Sequence, residues 1–146
     1  MKIMAVDLGD ARTGLAVSDL SATLVGETWV LTGENVKRLS QEARTIANEA
    51  ISREVGVIVV GYPKNMDGSI GTSAERSQTM AELLRELISS DPHNIEIVLW
   101  DERLTTVSAH KVLSDAGVYG KKRKKAIDAV AASLILEGYL QYIHSK

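Results

Sequence analysis

The sequence predicts an α/β fold, a mixed five-stranded sheet flanked by helices. Short β-branched and apolar runs recur along the chain, and apolar stripes at helical spacing separate the later runs. The chain has 146 residues, 45% of them hydrophobic, which is enough for one buried core. We therefore expect one domain over residues 1–146, with the element order β-β-β-α-β-α-β-α-α.

The first part of the chain has the patterns of three strands. Residues 3–8 form a short buried run that ends at the turn-forming pair Gly9 and Asp10. Residues 14–18 and 23–31 are two further strand patterns, with a polar turn between them. Three strands in succession predict an antiparallel meander.

Helix and strand patterns alternate in the middle of the chain. Apolar positions at helical spacing predict a helix from residue 34 to about residue 55. Residues 57–60 are a β-branched run and predict a central strand, followed by a loop with Gly and Pro at 61–68. Thr72 and Glu75 have the spacing of a capping box, which predicts the start of a second helix.

The last part of the chain is predicted to contain one strand and two helices. The strand covers residues 95–100, a short helix covers 109–116, and a final helix runs from about 125 to 143. The basic run at 121–125 precedes that helix and is the strongest compositional anomaly. Helical crossovers join strands that lie parallel, so these elements should extend the meander into a mixed sheet.

Composition excludes several classes of protein. The formal net charge of −2 gives no overall basic character, so any nucleic-acid surface must be a local patch. The absence of cysteine excludes disulfides, thiolate metal sites and cysteine nucleophiles. No apolar run has the length and flanks of a signal peptide or membrane span, so we expect a cytoplasmic protein without a membrane partner.

Acidic residues follow the predicted strands at the places where ligands tend to bind. Asp7 follows the first strand, Asp101 and Glu102 follow the last, and Asp128 opens the final helix. Carboxylates suit Mg²⁺ or Mn²⁺, and two such ions about 4 Å apart can hydrolyse a phosphodiester. For each acid alone, a cap, a turn or an ion pair is the simpler explanation, whereas the three acids together favour a metal site. Strand alternation lets only one of Asp101 and Glu102 face Asp7, and the sequence leaves open which.

Hydrogen-bond donors near these acids are candidate nucleic-acid contacts. The basic run stands just before Asp128 and could attract a phosphate backbone, although solvated surface charge is an equal alternative. The tryptophans and tyrosines are scattered along the chain and predict no stacking platform. The candidate contacts are Arg12, Thr13, Lys64, Arg76, Arg103, Lys121, Lys122, Arg123 and Lys124.

Four motifs in order resemble the YqgF (RuvX) family of Holliday-junction-resolvase-like nucleases. They are AVDLG with RTG within residues 5–14, GYP with NMDG within 61–68, DERLTT at 101–106, and KRK with IDAVAA within 122–132. The resemblance implies an RNase H-like fold. It also implies that Asp7, Glu102 and Asp128 are the catalytic, metal-binding acids, with Asp101 as an alternative or additional ligand.

The expected function is a nuclease that uses Mg²⁺ or Mn²⁺, with two ions, to mature the end of small-subunit (pre-16S) ribosomal RNA. Holliday junction resolution on four-way DNA is the first alternative, and a non-catalytic nucleic-acid-binding module is the second. A phosphotransferase of the actin-like or sugar-kinase-like class shares the Asp-x-Gly turn but normally needs two copies of the domain. The sequence leaves open the oligomeric state, the cleavage mode and the preferred metal.

Overall fold

The structure is a computed structural model and describes residues 1–63, 67–89, 92, 94–101 and 120–145, with 34, 35 and 120–128 described by backbone alone. A single 3₁₀ turn, Gly33–Val36, accompanies five strands and three helices in the described residues. The short helix predicted at 109–116 lies outside these residues. The elements are β1 (Lys2–Asp7), β2 (Arg12–Ser18), β3 (Val25–Thr32), α1 (Leu39–Ser52), β4 (Val55–Tyr62), α2 (Thr72–Ile88), β5 (Glu96–Asp101) and α3 (Gly120–His144).

The five strands form one mixed sheet in the order β3-β2-β1-β4-β5, which confirms the predicted fold class. The meander β1-β2-β3 is antiparallel, whereas β4 and β5 run parallel to β1. The carboxyl ends of β1, β4 and β5 therefore lie along one edge of the sheet, which we call the carboxyl edge.

Side-chain alternation along the strands divides the core into two clusters, one on each face of the sheet. Helices α1 and α2 cover one face, which we call the α1/α2 face, and α3 covers the other, the α3 face. The α1/α2 face buries Met4, Val6, Leu15, Ile58, Ile46, Met80 and Leu84, among others. The α3 face buries Ile3, Ala5, Ala16, Val57, Val59, Ala132, Ile135 and Leu136, among others.

Helix α1 is shorter at both ends than the predicted helix at 34–55. Gly33 has a φ of 65°, and the backbone of Arg38 is extended, so a 3₁₀ turn precedes the α-helix, which begins only at Leu39. At the other end, Glu54 adopts a φ of 58° and reverses the chain. Val55 then pairs with Lys2 in the sheet. Val55 therefore belongs to the sheet, although the prediction from sequence placed it at the end of the helix.

The capping box predicted at Thr72 and Glu75 is wrong. The residue before the helix is Gly71, which has extended backbone and makes no side-chain cap hydrogen bond. Thr72 is already the first helical residue, one position too late for its hydroxyl to cap the helix. The amide of Glu75 donates instead to the Gly71 carbonyl at 3.0 Å, which is an ordinary helical hydrogen bond.

Helix α3 starts at Gly120, five residues before the predicted start, and crosses the sheet antiparallel to β1. At its carboxyl end, the His144 ring nitrogen Nε2 lies 2.6 Å from the Ala22 carbonyl in the β2–β3 loop. The amino terminus of Met1 contacts the same loop, at the Leu20 carbonyl. The end of α3 and the start of β1 therefore share one edge, and the first turns of α3 lie toward the carboxyl edge. No helix in the described parts of the chain is long and apolar enough to cross a bilayer.

Candidate functional site

Asp7 lies at the carboxyl edge, on the α3 face. It is the last residue of β1, is half-buried, and alternates with Ile3 and Ala5, both of which belong to the α3-face core. Its register partner on β2 is Gly14. On β4, Val60 pairs with Val6, so Gly61 is the next residue, level with Asp7. Because both register neighbours are glycine, no side chain from either adjacent strand flanks the Asp7 carboxylate.

Asp101 ends β5 on the opposite face of the sheet. It is in register with Tyr62 of β4, and residues in register on parallel strands point to the same face. The Tyr62 hydroxyl accepts a hydrogen bond from Gln78 Nε2 of α2 at 2.8 Å, which identifies this as the α1/α2 face. The alternation separates Asp101 from Asp7, although both residues lie at the carboxyl edge.

Asp128 does not open the final helix, which corrects the prediction from sequence. Helix α3 begins eight positions earlier, at Gly120, so neither a cap nor the dipole of the first turn explains an acid at position 128. Position 128 precedes Ala132, Ile135, Leu136 and Tyr139 at helical spacing, and these four residues form the stripe of α3 that packs on the sheet. The helix backbone thus carries position 128 on its sheet-facing stripe.

Asp7 is the one member of the predicted metal-binding triad whose side chain the structure describes. Glu102 lies outside the described residues, and Asp128 is described by backbone alone. Among the described side chains, no group of three or more His, Cys, Asp or Glu residues comes together as a metal cluster. The donor type of Asp7 fits a hard divalent cation, because Mg²⁺ and similar ions prefer carboxylate oxygens.

The residues predicted to contact nucleic acid differ in their burial and in their position in the fold. Arg12 is half-buried and alternates with Gly14 on the α3 face, the face of Asp7. Thr13 is fully buried, and its hydroxyl donates to Glu42, so this side chain has no surface to offer a nucleic acid. Lys64 and Arg103 lie outside the described residues. Residues 121–124, described by backbone alone, belong to the first turns of α3.

Arg76 holds the β1–β2 turn from the α1/α2 side. Its guanidinium lies 2.5 Å from the carboxylate of Asp10, whose side chain is exposed. A cavity of about 300 Å³ beneath this ion pair is lined by Lys37 and Glu42 as well. A Cβ added at Gly9 would come within 2.1 Å of a backbone carbonyl oxygen, so only glycine fits this turn without a shift of the main chain.

Glu42 is a buried acid that the sequence analysis missed. Its exposed fraction is 3%, and burial raises the pKa of its carboxyl above the ordinary value of 4.5, against the hydrogen bond from Thr13 and the charge of Arg76. The signal was present in the sequence, because Glu42 stands between Leu39 and Ile46 at helical spacing. A carboxylate on an apolar stripe indicates a buried polar partner.

Three aromatic side chains that are scattered in sequence cluster between β5 and α3. Trp100 makes edge-to-face contacts with Tyr139 and Tyr142 of α3, at centroid distances of 5.6 and 5.5 Å. The Trp100 ring also lies over Gly138, where a Cβ would be 3.5 Å from the ring, an ordinary van der Waals distance. Tyr139 is buried, so the cluster anchors α3 to β5 rather than presenting a row of stacking surfaces.

Comparison with known proteins gives matches over nearly the whole chain. The profile of the family described as RuvX, Holliday junction resolvase, matches residues 1–142. A protein of Halalkalibacterium halodurans, named as a pre-16S rRNA nuclease, is 46% identical over 142 residues that cover 96% of each chain. A protein of the same name from Thermoanaerobacter pseudethanolicus is 43% identical over 147 positions and covers both chains completely.

Solved structures of RuvC share the fold. Thermus thermophilus RuvC bound to a Holliday junction substrate aligns with a TM-score of 0.58, 12% sequence identity, and coverage of 97% of this chain and 96% of that chain. A second Thermus thermophilus RuvC structure aligns with a TM-score of 0.53 and 10% identity. At this level of identity the likeness concerns the fold alone, and it confirms the RNase H-like architecture that the motifs imply.

Proposed function

The chain belongs to the RuvX family of Holliday junction resolvases, and we propose that it is a metal-dependent nuclease acting on structured nucleic acid in the cytoplasm. The reaction is hydrolysis of a phosphodiester bond by a single nuclease domain, residues 1–146. The observation that carries this proposal is the position of Asp7, a half-buried carboxylate at the carboxyl edge with glycine on both neighbouring strands.

Asp7, Glu102 and Asp128 are the proposed ligands of two Mg²⁺ or Mn²⁺ ions. Along β5, Val98 and Trp100 pack on the α3 face, whereas Asp101 lies on the opposite face from Asp7. Position 128 belongs to the sheet-facing stripe of α3, which packs on that face. Both arguments favour Glu102 over Asp101. Two divalent ions would neutralise charge on the phosphate and lower the pKa of an attacking water.

The chain's own residues have distinct tasks in this reaction. The carboxylate of Asp7 holds and orients the metal, and Gly14 and Gly61 keep the space beside it open for the scissile phosphate. Arg12 lies on the same face and supplies a guanidinium to bind phosphate oxygens. The three acids are not nucleophiles, because metal-assisted hydrolysis needs no covalent intermediate.

The basic run, with Lys121, Lys122, Arg123 and Lys124, is the proposed guide for the nucleic-acid backbone. Helix α3 has 25 residues and is about 37 Å long, whereas the six residues of β1 span about 20 Å. The helix ends beside the start of β1, so its first turns extend beyond the carboxyl edge. A basic segment there attracts phosphate close to Asp7, although the net charge of the chain is −2. Lys64, Arg76 and Arg103 remain proposed peripheral contacts.

Precursor ribosomal RNA is the proposed substrate. Relatives at 46% and 43% identity, aligned over nearly their whole length, are named as pre-16S rRNA nucleases. Four-way DNA is the second candidate, which the description of the family favours and which the RuvC complex contains. The two substrates require the same chemistry and differ in the surface that selects them.

The test is cleavage of labelled precursor 16S RNA and a labelled four-way DNA junction, side by side, with Mg²⁺ or Mn²⁺. We expect metal-dependent cleavage of the RNA by the wild-type protein and none by Asp7→Asn. Asp101→Asn is the matched control, because it removes one carboxylate at the same edge but on the other face. Cleavage of the junction without cleavage of the RNA would identify four-way DNA as the substrate. Binding without cleavage of either substrate would refute the nuclease and favour a binding module.

A further inference from the structure

Glu42 is the only buried acidic or basic side chain among those that the structure describes. It lies on α1 beside Ala43 and Ile46 of the α1/α2-face core, and it also lines the cavity beneath the Arg76–Asp10 ion pair. A carboxyl group is costly in such surroundings unless a donor compensates it. The mechanism proposed above uses Asp7 on the opposite face, so it does not explain why this carboxyl is buried.

Thr13 supplies the compensating hydrogen bond. Its hydroxyl donates to Oε1 of Glu42, and the Thr13 side chain is fully buried. Thr13 adjoins Gly14, which is the register partner of Asp7. This hydrogen bond therefore attaches helix α1 to the start of β2, next to the proposed metal ligand. It does so from the face of the sheet that Asp7 does not occupy.

The turn after Asp7 is held from α2 as well. Arg76 pairs with Asp10 at 2.5 Å, and Gly9 permits the close approach of the turn to the Arg12 carbonyl. The Asp10 side chain is 89% exposed, so water screens this ion pair. The buried Thr13–Glu42 link is therefore the stronger of the two constraints.

We propose that the Thr13–Glu42 hydrogen bond positions Asp7 for metal binding, which makes Thr13 and Glu42 positioning residues. The inference rests on the proposed function, since it assumes that Asp7 is a metal ligand. A ligand held near its bound geometry binds more tightly, because less reorganisation accompanies binding. Loss of a group that is hydrogen-bonded directly to a metal ligand typically weakens metal affinity by about 10- to 100-fold, and the Thr13–Glu42 hydrogen bond, one step further from the ligand, should have an effect at the lower end of that range.

The other end of the same strand pair provides a matched control. The Ser18 hydroxyl of β2 accepts a buried hydrogen bond from the Ile3 amide of β1 at 2.8 Å. Thr13→Val and Ser18→Ala each remove one buried hydroxyl that ties down β2, at opposite ends of the pair. A general loss of stability should weaken metal binding to a similar extent in both variants. Loss of the positioning of Asp7 should weaken metal binding only in Thr13→Val.

The experiment measures Mn²⁺ binding to the full chain without nucleic acid. Calorimetry and the electron paramagnetic resonance signal of free Mn²⁺ are the two readouts. The wild type should bind, and Asp7→Asn should lose binding. Thr13→Val should raise the Kd about tenfold, at the lower end of the range for such links. Thr13→Ser, which keeps the hydroxyl, and Ser18→Ala should stay within about twofold of the wild type.

The outcomes separate this inference from the proposed function. If the wild type binds Mn²⁺ through Asp7 but Thr13→Val binds equally well, or loses no more affinity than Ser18→Ala, the positioning role is refuted. If the wild type itself binds no Mn²⁺, the metal-dependent function fails and the inference fails with it. Circular dichroism verifies folding, and Thr13→Ala replaces Thr13→Val if the latter does not fold, because it leaves room for water beside Glu42.

Discussion

The two faces of the sheet differ in what they bury. Two helices cover the α1/α2 face, which holds Glu42, the one buried acidic or basic side chain among those described. A single helix covers the α3 face, where small residues such as Ala5, Ala16 and Ala132 lie among larger ones and where Asp7 ends β1 half-buried. The comparison suggests a division of roles, in which one face fixes the strands and the other leaves space for chemistry.

The largest expected effect distinguishes the two acids at the carboxyl edge. Asp7→Asn should lower kcat for RNA cleavage by about a thousandfold or more, because loss of a catalytic group acts on this scale. Asp101→Asn should change kcat less than about threefold, since Asp101 lies on the other face. Single-turnover cleavage at saturating Mg²⁺ provides the measurement. Equal losses in both variants would contradict the division between faces.

Core truncation on each face should separate stability from activity. Leu84→Ala and Leu136→Ala each remove a fully buried leucine and should each cost about 2–5 kcal/mol of unfolding free energy. Leu136 belongs to α3, which carries position 128, so Leu136→Ala should also reduce cleavage by folded protein. Urea unfolding and cleavage rates at one low temperature measure the two effects. If Leu84→Ala lost as much activity as Leu136→Ala, the division of roles between the two faces would be contradicted.

The basic run should account for most of the salt dependence of nucleic-acid binding. A double variant at Lys122 and Arg123, both to Ala, should lower the logarithmic salt slope of RNA affinity by about 1.4 to 1.8. The control variant removes exposed Arg38 and Arg44 on the α1 side and should leave the slope nearly unchanged. Filter binding across a salt series gives both slopes. Equal slopes for all three proteins would place the binding surface elsewhere.

The smallest expected effect concerns the buried acid. Burial raises the pKa of Glu42 above 4.5, so the folded protein holds this proton to a higher pH than the unfolded chain. Its contribution to stability is complete below the unfolded pKa and is lost as pH rises through the folded pKa. Arg76, which lines the same cavity as Glu42, lowers this pKa and so opposes the effect of burial, as does the hydrogen bond from Thr13.

Glu42→Gln should therefore gain stability relative to wild type as pH rises from about 4 to neutral, because the amide does not ionise. Urea unfolding of both proteins at several pH values measures the difference. Glu49→Gln, which changes a half-exposed acid of the same helix, controls for general charge effects. A difference between wild type and Glu42→Gln that stays constant with pH would show that burial does not govern this carboxyl.

Local sequence patterns predicted the order of the described helices and strands correctly. They did not predict where each helix begins and ends. All five strands lie where β-branched and apolar runs predicted them, because such runs record burial directly. Val55 is not in the predicted helix because it pairs with Lys2 in the sheet. Thr72 is the first helical residue after Gly71 and not the cap, and Asp128 does not open α3 because that helix starts at Gly120.

Hydrophobic periodicity is a local property of the chain, and it was enough to predict the α/β class, the mixed sheet and the position of Asp7 at the end of a buried strand. The motifs predicted the family. Three further facts are visible only in the folded chain: Asp101 faces away from Asp7, Gly61 lies beside Asp7, and Thr13 binds Glu42. These are facts of strand register and helix packing, which join residues distant in sequence and leave no local pattern to read.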